Sequence, residues 1–452
     1  MSQPTAVPFE RNDASVLFLA RRARIASHAL AKMSLPARNE VLLAAAKAIE
    51  DGANRILEAN TRDCEAAEPD VAAGKMSSAL WKRLRVTEKG VAQMAAQVQD
   101  VARLADPLGR RLSATELDDG LILCRESCPL GVIGVIFESR PDVVPQLASL
   151  ALKSGNAAIL KGGSEAARTS ETLVSIWRES LAKFPAVPAD SINLLQSRAD
   201  VMDLLRQNRD VDLIIPRGSY DLVHFIMRHS RIPVLGHGEG ICHVYVDRAA
   251  DMKRAIDVTY DSKVDYPAVC NAAETLLVHQ AIAPEFLPKM VAKLKACGVE
   301  IRGDTKTRAL LPDEAIVPAT EKDWVTEYGD LILSIKVVGD LEEAIEHVNS
   351  YGSHHTDAIV TEDPEAARRF MNEVDSAGVY QNASTRFADG YRYGLGAEVG
   401  ISTSKLHARG PMGLEGLTTY KYKLYGQGHT VAEYTKGERS FKHRPLDEEG
   451  AP

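Results

Sequence analysis

From about residue 145 onward, helical and strand-like patterns alternate along the chain, and this alternation limits the possible folds more than any other feature. Short apolar runs separated by amphipathic helices are typical of a parallel sheet with helices on both faces. A break after Gly240 divides the alternation into two α/β domains. We expect strands over 157–160 and 213–215 in the first domain, and over 243–246, 275–278, 331–338, 357–361 and 378–381 in the second.

The residues before this alternation predict a different kind of structure. Residues 14 to about 105 carry apolar positions at the spacing of helices. Strand-like runs follow over 117–125 and 131–137, and Asp119-Gly120 within the first run is a common hairpin turn. We expect this hairpin to form an arm used in oligomerisation. Residues beyond about 435 are charged and contain proline, so we expect them to fray.

Composition disfavours several classes of function. A 452-residue chain with 45% hydrophobic and 26% charged residues is expected to form two or three domains. The net charge of -8 argues against broad nucleic-acid binding, and no apolar run approaches the ~18 residues of a membrane span. The N-terminal residues have no apolar stretch typical of a secretory signal. The 6 cysteines lack disulfide density and metal-ligand spacing, so we predict a cytoplasmic protein without a bound metal.

Cys270 is the candidate nucleophile. Pro267 is expected to end the preceding helix, so that Cys270 falls in a short turn before the strand predicted over 275–278. A thiol at such a junction can attack a carbonyl carbon while backbone N–H groups bind the oxyanion that forms. The alternative is a buried, inert cysteine, which is the commonest state of a free cysteine. The turn alone does not decide between the two.

Two strand-to-helix turns are candidates for cofactor binding. Residues 161–165 and 216–219 each place glycine and serine at the carboxyl end of a strand, where open α/β sheets bind ligands. We expect Ser164 and Ser219 to cap their helices, at N–H groups that suit a phosphate. Lys161 adds a cation where the 2′-phosphate of a dinucleotide could lie. Neither turn has the spacing G-x-G-x-x-G, and simple helix capping is the alternative for each.

Longer motifs carry a resemblance to a known family, and they extend from about residue 15 to 430. The motifs lie at 128–142, 153–156, 160–165, 215–219, 237–243, 266–271, 394–403 and 407–413. In these segments the chain resembles the gamma-glutamyl phosphate reductases, the members of the aldehyde dehydrogenase superfamily that act in proline biosynthesis. Some segments are also similar to the reductase half of the bifunctional pyrroline-carboxylate synthases.

The resemblance implies an aldehyde dehydrogenase-like fold, with two doubly wound α/β domains and a β-hairpin oligomerisation flap. The expected boundaries are 1–110 with 129–236 for the NADP-binding domain, 237–412 for the catalytic domain, 111–128 with 413–435 for the flap, and 436–452 for a flexible tail. The family also implies a homodimer or a higher homo-oligomer. Glutamate 5-kinase is a further expected partner, in a transient contact.

The resemblance also implies a reaction. The Cys270 thiolate would attack the acyl phosphate of L-glutamate 5-phosphate and release phosphate, leaving a thioester. Hydride from NADPH would reduce that thioester to L-glutamate 5-semialdehyde. The catalytic residues implied are Cys270, whose backbone N–H helps to hold the oxyanion, Asn271 and Arg140. Arg140 could bind the acyl phosphate, and structural pairing is its alternative role.

Further residues are implied for binding. The cofactor set comprises Lys161, Gly162, Gly163, Ser164, Glu165, Arg217, Gly218, Ser219 and Glu327. Glu327 matches the position whose glutamate usually holds the nicotinamide ribose, with a solvated glutamate as the alternative. The substrate set comprises His237, Asn382, Ser384 and Arg386, of which the last three follow a strand end and could bind the amino-acid head group.

Other classes of protein compete with this interpretation. A hydrolytic aldehyde dehydrogenase is disfavoured because His237 stands where its general-base glutamate would be, although a neutral histidine could still act as a base. A coenzyme-A-dependent reductase would share the thiol and the fold, so substrate tests alone separate it. A catalytically inactive relative would be expected to lack the cysteine, and Cys270 is present.

Overall fold

A computed structural model describes residues 16–76, 78–236, 238–406 and 408–447. The contacts divide the chain into two compact units. Residues 235–413 form the second unit, and the residues on either side of that range form the first. The functional roles that we predicted for the domains remain predictions.

Five helices begin the first unit: α1 (Val16–Leu30), α2 (Leu35–Asp51), α3 (Ala53–Ala72), α4 (Ser78–Leu84) and α5 (Glu88–Arg103). They confirm the helical pattern over the described part of 14–105. The hydroxyl of Ser34 accepts a hydrogen bond from the backbone N–H of Ala37 and caps α2, and Thr87 caps α5 through Gly90. The buried faces of α2 and α5 pack against each other.

A hairpin follows, made of β1 (Arg111–Asp118) and β2 (Leu121–Pro129). Asp119 and Gly120 form the turn, as the sequence predicts. Gly120 has a φ of 74°, in the left-handed region that glycine adopts without strain. The two strands pair antiparallel from Asp118 and Leu121 back to Arg111 and Glu126.

The first unit then forms a four-stranded parallel sheet. Its elements are β3 (Val132–Phe137), α6 (Val143–Lys153), β4 (Ala157–Lys161), α7 (Ala167–Leu181), β5 (Ile192–Leu194), α8 (Ala199–Leu204), β6 (Leu213–Arg217) and α9 (Tyr220–His229). The strand order is β5-β4-β3-β6, and every pair is parallel. All residues of β3 and β4 are buried, as in strands covered on both faces. The sequence patterns do not predict β5 or α8, which are short.

Two residues of the family-like motifs have structural contacts in this unit. The side-chain amide of Asn156 donates to the carbonyl of Leu417 at 2.8 Å, and its oxygen accepts from the backbone N–H of Gly131 at 2.7 Å. Lys153 is fully buried and donates to the side chain of Asn39 at 2.7 Å. Burial lowers the pKa of Lys153 to about 8.

The second unit contains a seven-stranded parallel sheet. Its elements are β7 (Cys242–Val246), α10 (Met252–Val264), β8 (Ala273–His279), α11 (Ala283–Ala296), β9 (Glu300–Gly303), α12 (Thr305–Leu310), β10 (Val317–Pro318), α13 (Glu321–Trp324), β11 (Ile332–Val338), α14 (Leu341–Tyr351), β12 (Thr356–Val360), α15 (Pro364–Glu373) and β13 (Gly378–Gln381). The order is β10-β9-β11-β8-β7-β12-β13, and every pair is parallel. All five predicted strands are present. Strands β9 and β10, at one edge, are not predicted.

The central strand β8 separates two cores. Leu276 packs with Phe286 and the other apolar residues of one cluster. Its neighbour Leu277 packs with Tyr245 and Phe370 in a different cluster. Successive side chains of a strand point to opposite faces, so the sheet is covered on both sides. This arrangement confirms the doubly wound architecture predicted for the domain.

The end of the chain returns to the first unit. After the short antiparallel pair β14 (Gly400–Ser402) and β15 (Gly410–Met412), it forms β16 (Thr418–Tyr425), α16 (Val431–Thr435) and β17 (Arg444–Leu446). Strand β16 pairs with β2, and β17 pairs with β1, giving a sheet in the order β16-β2-β1-β17. Strand β16 lies at its edge and exposes Tyr422 and Leu424. An exposed apolar edge strand can pair with another chain, and that role remains a prediction.

The segment predicted as a flexible tail, 436–452, pairs with β1 through β17 within the described residues, and its flexibility remains a prediction. The carboxylate of Asp118 accepts hydrogen bonds from Tyr434 at 3.1 Å and Arg439 at 3.2 Å, and its ion pair with Lys442 spans 3.1 Å. Hydrogen bonds from the backbone and these basic partners hold the pKa of Asp118 well below its usual range. The open edge of β1 and its acidic end therefore bind the basic tail. Residues 448–452 lie outside the described residues.

The described part of the chain has neither a membrane-spanning helix nor a cluster of metal-ligating side chains. None of its helices combines the length and apolar composition that a bilayer crossing requires. None of its clusters of histidine, cysteine, aspartate and glutamate has the makings of a metal site.

A buried histidine cluster lies in the second unit. His243 contacts Asp357 through Nδ1 at 2.8 Å, and its ring meets the ring of His347 edge-on at 5.6 Å. The ammonium of Lys336 lies 3.2 Å from Nδ1 of His347. Burial, followed by the charges of His243 and Lys336, lowers the pKa of His347 to about 2. The folded protein therefore keeps His347 neutral.

We predict that His347 makes the protein sensitive to mild acid. An unfolded histidine has a pKa of about 6.5, so below that pH the unfolded chain binds a proton that the folded chain does not. The contribution of His347 to the free energy of unfolding is fully present above about pH 6.5. Below that pH, the free energy of unfolding falls by about 1.4 kcal/mol per pH unit. Urea unfolding between pH 7.5 and 5 should show a weaker pH dependence in His347→Gln. The exposed His28, changed to Gln, is the matched control, and equal slopes in all three proteins would refute the prediction.

Candidate active site

Cys270 lies in the turn that the sequence predicts. Helix α10 ends at Val264, before Pro267, and strand β8 begins at Ala273. The backbone N–H of Ala272 donates to the carbonyl of Val269 at 2.9 Å and closes the turn around Cys270. Cys270 itself is half-buried.

The backbone of Gly240 approaches Cys270 so closely that no side chain fits between them. A Cβ placed on Gly240 would lie 2.5 Å from the Cα of Cys270 and 2.6 Å from its Cβ. The obstructing atoms belong largely to the backbone, so a flexible side chain cannot move aside to make room. Glycine at 240 is therefore a steric requirement of the position of Cys270.

Cys242 contacts the same residue from the start of β7. Its thiol donates to the carbonyl oxygen of Cys270, with sulfur and oxygen 3.3 Å apart. The sulfur also lies 3.7 Å from Nδ1 of His355. Cys242 is fully buried, and burial raises the pKa of its thiol well above the usual value. It therefore remains a thiol and supports Cys270 without competing with it as a nucleophile.

Asn271, predicted to be catalytic, is bound on three sides by the segment 385–388. The hydroxyl of Thr385 donates to its carbonyl at 2.7 Å. Its side-chain amide donates to the carbonyl of Ala388 at 2.9 Å, and its side-chain oxygen accepts from the guanidinium of Arg386. The buried Asn271 side chain thus has protein partners at both ends.

The residues predicted to bind the substrate head group also have protein partners. Asn382 has a φ of 53° and exchanges two hydrogen bonds with the backbone of Thr361, at 3.0 and 2.9 Å. The hydroxyl of Ser384 accepts from the backbone N–H of Arg386 at 3.2 Å. The buried Arg386 forms an ion pair with Asp265 at 3.2 Å. These residues lie in one segment, and their role in substrate binding remains a prediction.

The other predicted residues of this unit are not tested by these contacts. His237 lies outside the described residues. Glu327 is half-buried and lies near Glu274, whose carboxylate it affects electrostatically. Its predicted contact with the nicotinamide ribose remains a prediction.

A buried ion pair below the Cys270 turn is not predicted from the sequence. Nζ of Lys263 lies 2.6 Å from the carboxylate of Glu274, and both side chains are almost fully buried. The backbone N–H of Gly329 donates to the second carboxylate oxygen at 3.1 Å. Burial raises the pKa of Glu274 to about 7 and lowers that of Lys263. Such a pair stabilises the fold only while both partners are present, so it joins the end of α10 to β8.

The predicted cofactor turns are formed at the carboxyl ends of β4 and β6. Lys161 is the last residue of β4; it is buried, donates to the carbonyl of Gly162, and burial lowers its pKa. Ser164 opens a short 3-10 turn before α7. Arg217 is the last residue of β6, and its carbonyl accepts from the backbone N–H of Glu138 at 3.1 Å. Arg140 lies in the loop after β3 and is half-buried.

The capping roles predicted for Ser164 and Ser219 are wrong. Ser164 makes no cap, and Ser219 stands at the N-cap position of α9 without a side-chain capping bond. The carboxylate of Glu138 accepts from the backbone N–H of Ser219 at 2.7 Å. In the neighbouring turn, Glu165 accepts from both the N–H and the hydroxyl of Ser139 at 2.7 Å. Two carboxylates of the first unit thus accept charge-assisted hydrogen bonds from backbone N–H groups in these loops.

Comparison with known proteins places this geometry in a family. A model of the aldehyde dehydrogenase family matches residues 10–310. A gamma-glutamyl phosphate reductase of Synechococcus sp. (strain JA-2-3B'a(2-13)) is 55% identical over 448 residues, which cover 98% of each chain. The enzyme of the same name from Methanococcoides burtonii is 53% identical over 429 residues, 94% of this chain and 96% of that one. The chain belongs to the gamma-glutamyl phosphate reductases of the aldehyde dehydrogenase family.

Solved structures agree with this membership. The crystal structure of gamma-glutamyl phosphate reductase from Thermotoga maritima is 42% identical and has a TM-score of 0.89, covering 92% of this chain and 99% of that one. A glyceraldehyde-3-phosphate dehydrogenase from Methanocaldococcus jannaschii, solved with NADP, shares the fold at 18% identity and a TM-score of 0.63, covering 94% of this chain and 97% of that one. The predicted aldehyde dehydrogenase-like fold is confirmed, and the reductase is an oxidoreductase.

We predict that Gly240→Ala displaces the nucleophile. The added methyl group would meet the backbone of Cys270, and overpacking of this kind costs about 1–3 kcal/mol. Urea titration should therefore show a free energy of unfolding lower by about that amount, and turnover should fall with it. Gly339→Ala is the matched control, because a Cβ at that position comes no closer than 3.4 Å to another atom. Equal stability and activity in the two variants would contradict the steric argument.

Proposed function

We propose that the protein reduces L-glutamate 5-phosphate to L-glutamate 5-semialdehyde and phosphate with NADPH, through a thioester on Cys270. This reaction is the second step of proline biosynthesis from glutamate. The observation that carries the proposal is the half-buried Cys270, held in its turn within a chain that matches named reductases over nearly its whole length. The activity in those relatives' names is the activity proposed here.

The chain's own groups have definable tasks in this reaction. The thiolate of Cys270 attacks the acyl carbon, and the C–O bond to phosphate breaks as phosphate leaves. The backbone N–H of Cys270 helps to stabilise the oxyanion in the transition state. Gly240 and Cys242 hold the backbone of Cys270 in place during the attack. Arg140, proposed to bind the acyl phosphate, presents a guanidinium suited to bidentate phosphate contacts.

The first unit has features that suit a dinucleotide. A cavity at the end of β4 is lined by Gly162, Gly163, Ser170 and neighbouring residues. The hydroxyl of Ser170 is buried and has no hydrogen-bond partner among the described residues. At Gly162, a Cβ would lie 3.0 Å from the Phe137 ring and 3.1 Å from the Ser170 hydroxyl, so a side chain there would require these neighbours to shift. The unpartnered hydroxyl of Ser170 offers a hydrogen-bonding group beside this turn. The cavity itself, at about 30 Å³, has room for no more than a water molecule.

NADPH would supply the hydride, and the chain would bind and orient the cofactor. When bound, NADPH supplies the hydride that reduces the thioester on Cys270. Lys161 is proposed to face the 2′-phosphate, with Gly162, Gly163, Ser164 and Glu165 completing the first turn. The second turn would contribute the three residues Arg217, Gly218 and Ser219. Glu327 is proposed to hold the nicotinamide ribose.

The remaining assignments concern substrate and partners. His237, Asn382 and Ser384 are proposed to orient the substrate. A dimer or higher oligomer is proposed to form through the exposed edge of β16. A transient contact with glutamate 5-kinase would be consistent with the lability of an acyl phosphate.

The decisive assay runs the reaction in reverse. L-glutamate 5-semialdehyde and NADP should yield NADPH only when phosphate is added, and replacing phosphate by coenzyme A should give no turnover. Cys270→Ala should abolish turnover, because a methyl group cannot attack a carbonyl. Cys297→Ala, which alters an exposed cysteine in the same unit, is the matched control and should retain activity. Phosphate-independent formation of glutamate, or activity above a few per cent in Cys270→Ala, would refute the proposal.

Cofactor choice provides a second prediction. Loss of a charge-assisted contact costs roughly 1.5–3 kcal/mol, so Lys161→Ala should raise the KM for NADPH by about one to two powers of ten. The KM for NADH, which lacks the 2′-phosphate, should change much less. Lys183→Ala, which removes an exposed lysine just after α7, controls for net charge. An equal rise in KM for both cofactors would indicate that Lys161 contacts the ribose that both share, or that it stabilises the fold.

A further inference from the structure

Asn271 is held more completely than a residue that contacts substrate needs to be. Its backbone carbonyl, side-chain nitrogen and side-chain oxygen are bound by Thr385, Ala388 and Arg386 respectively. All three partners come from one short segment after β13, which begins with a 3-10 turn over Thr385–Phe387. The segment therefore fixes both the peptide plane and the side chain of the residue that directly follows Cys270.

Arg386 is placed for this task and not for a ligand. Its side chain is 8% exposed, and its two terminal nitrogens bind Asn271 and Asp265. Its Nε is buried and has no partner among the described residues. An arginine that binds the carboxylate of a head group needs an accessible guanidinium, and both terminal nitrogens of this one are held by protein partners.

A second contact layer holds Arg386 in turn. Asp265, just after α10, pairs with Arg386 at 3.2 Å and with Arg392 at 3.8 Å. The guanidinium of Arg392 also donates to the backbone carbonyl of Arg386. The chain of contacts thus runs from Asp265 through Arg386 to Asn271. Together with Gly240 and Cys242, it holds the Cys270 backbone from two directions.

We infer that Arg386 and Thr385 are positioning residues, which set the geometry of Cys270 by anchoring Asn271, and that Arg386 does not bind the substrate head group. The inference rests on the proposed role of Cys270 as the nucleophile. A nucleophile must lie within a few tenths of an ångström of its attack geometry, and a displacement of about 1 Å can cost on the order of 100-fold in rate. Anchoring of this kind changes kcat, whereas a head-group contact changes KM.

The mildest test changes Thr385. Thr385→Val removes the hydroxyl that donates to Asn271 and keeps the shape of the side chain. We expect kcat for oxidation of L-glutamate 5-semialdehyde to fall about tenfold with an unchanged KM. Thr385→Ser, which restores a hydroxyl, should recover most of the rate. A KM effect in Thr385→Val, or a failure of serine to rescue, would overturn the positioning role of Thr385.

Arg386 is tested with two substrates. Arg386→Met should lower kcat by about ten- to a hundredfold, and by the same factor for L-glutamate 5-semialdehyde and for butyraldehyde, which has no amino-acid head group. Arg368→Met is the matched control, since its guanidinium binds Glu365 on the surface of the second unit. A loss confined to the semialdehyde, expressed as a higher KM, would assign Arg386 to the head group and overturn the inference.

A measurement without substrate separates this inference from the proposed function. Hydrogen exchange in the peptide spanning 266–276 should be faster in Thr385→Val and Arg386→Met than in the control, because the turn closed by Ala272 loses its anchor. Unchanged exchange in this peptide would overturn the inference even if the enzyme were active. If exchange is faster in the two variants but the wild-type protein fails the phosphate-dependent assay, the anchoring role is supported and the proposed reaction is refuted.

Discussion

The close approach of Gly240 to Cys270 is the constraint on which the candidate active site depends. Strands β7 and β8 pair in parallel, with Cys242 opposite Ala273, so the segments that precede them lie side by side. Gly240 precedes one strand and Cys270 precedes the other, which places Cys270 at the amino edge of the second sheet. Because the backbones touch, the position of the thiol follows from the register of two buried strands and does not rely on a flexible loop.

In both units, carboxylates bind groups that would otherwise lack a hydrogen-bond or ionic partner. In the second unit, Lys263 and Glu274 form an ion pair below the turn, and neither could be left alone without a large penalty. In the first unit, Glu138 and Glu165 satisfy backbone N–H groups at the ends of neighbouring strands. These carboxylates meet the preference of such positions for negative charge. Both arrangements make local backbone geometry depend on residues distant in sequence.

Sequence patterns predict the helices, the main parallel strands, the hairpin turn and the turn that carries Cys270, because each depends on local periodicity or turn chemistry. They fail where the outcome depends on a distant partner. Ser219 stands at the N-cap of α9 without a capping bond from its side chain, and its backbone N–H donates to Glu138, which lies 81 residues earlier in the chain. The charged tail forms β17, which pairs with β1, and Asp118 at the end of β1 binds Arg439 and Lys442 of the tail.

Arg386 illustrates the same limit within the candidate site. Its sequence position, after a strand end, is compatible with ligand binding, but its partner Asn271 lies 115 residues away. Motif resemblance predicts the nucleophile because the surrounding residues are specific to the family. It does not distinguish a residue that touches substrate from one that holds the nucleophile, since both occur in the same segments. That distinction requires the contacts themselves.

The most direct test of the account is the mass of the acyl-enzyme. The protein should be mixed with L-glutamate 5-semialdehyde and NADP without phosphate, quenched in acid, and digested for mass spectrometry. We expect a glutamyl thioester on the peptide containing Cys270. The adduct should disappear when phosphate is added before the quench, and it should never form in Cys270→Ala. Turnover with no adduct, or an adduct on another cysteine such as Cys242, would contradict the account.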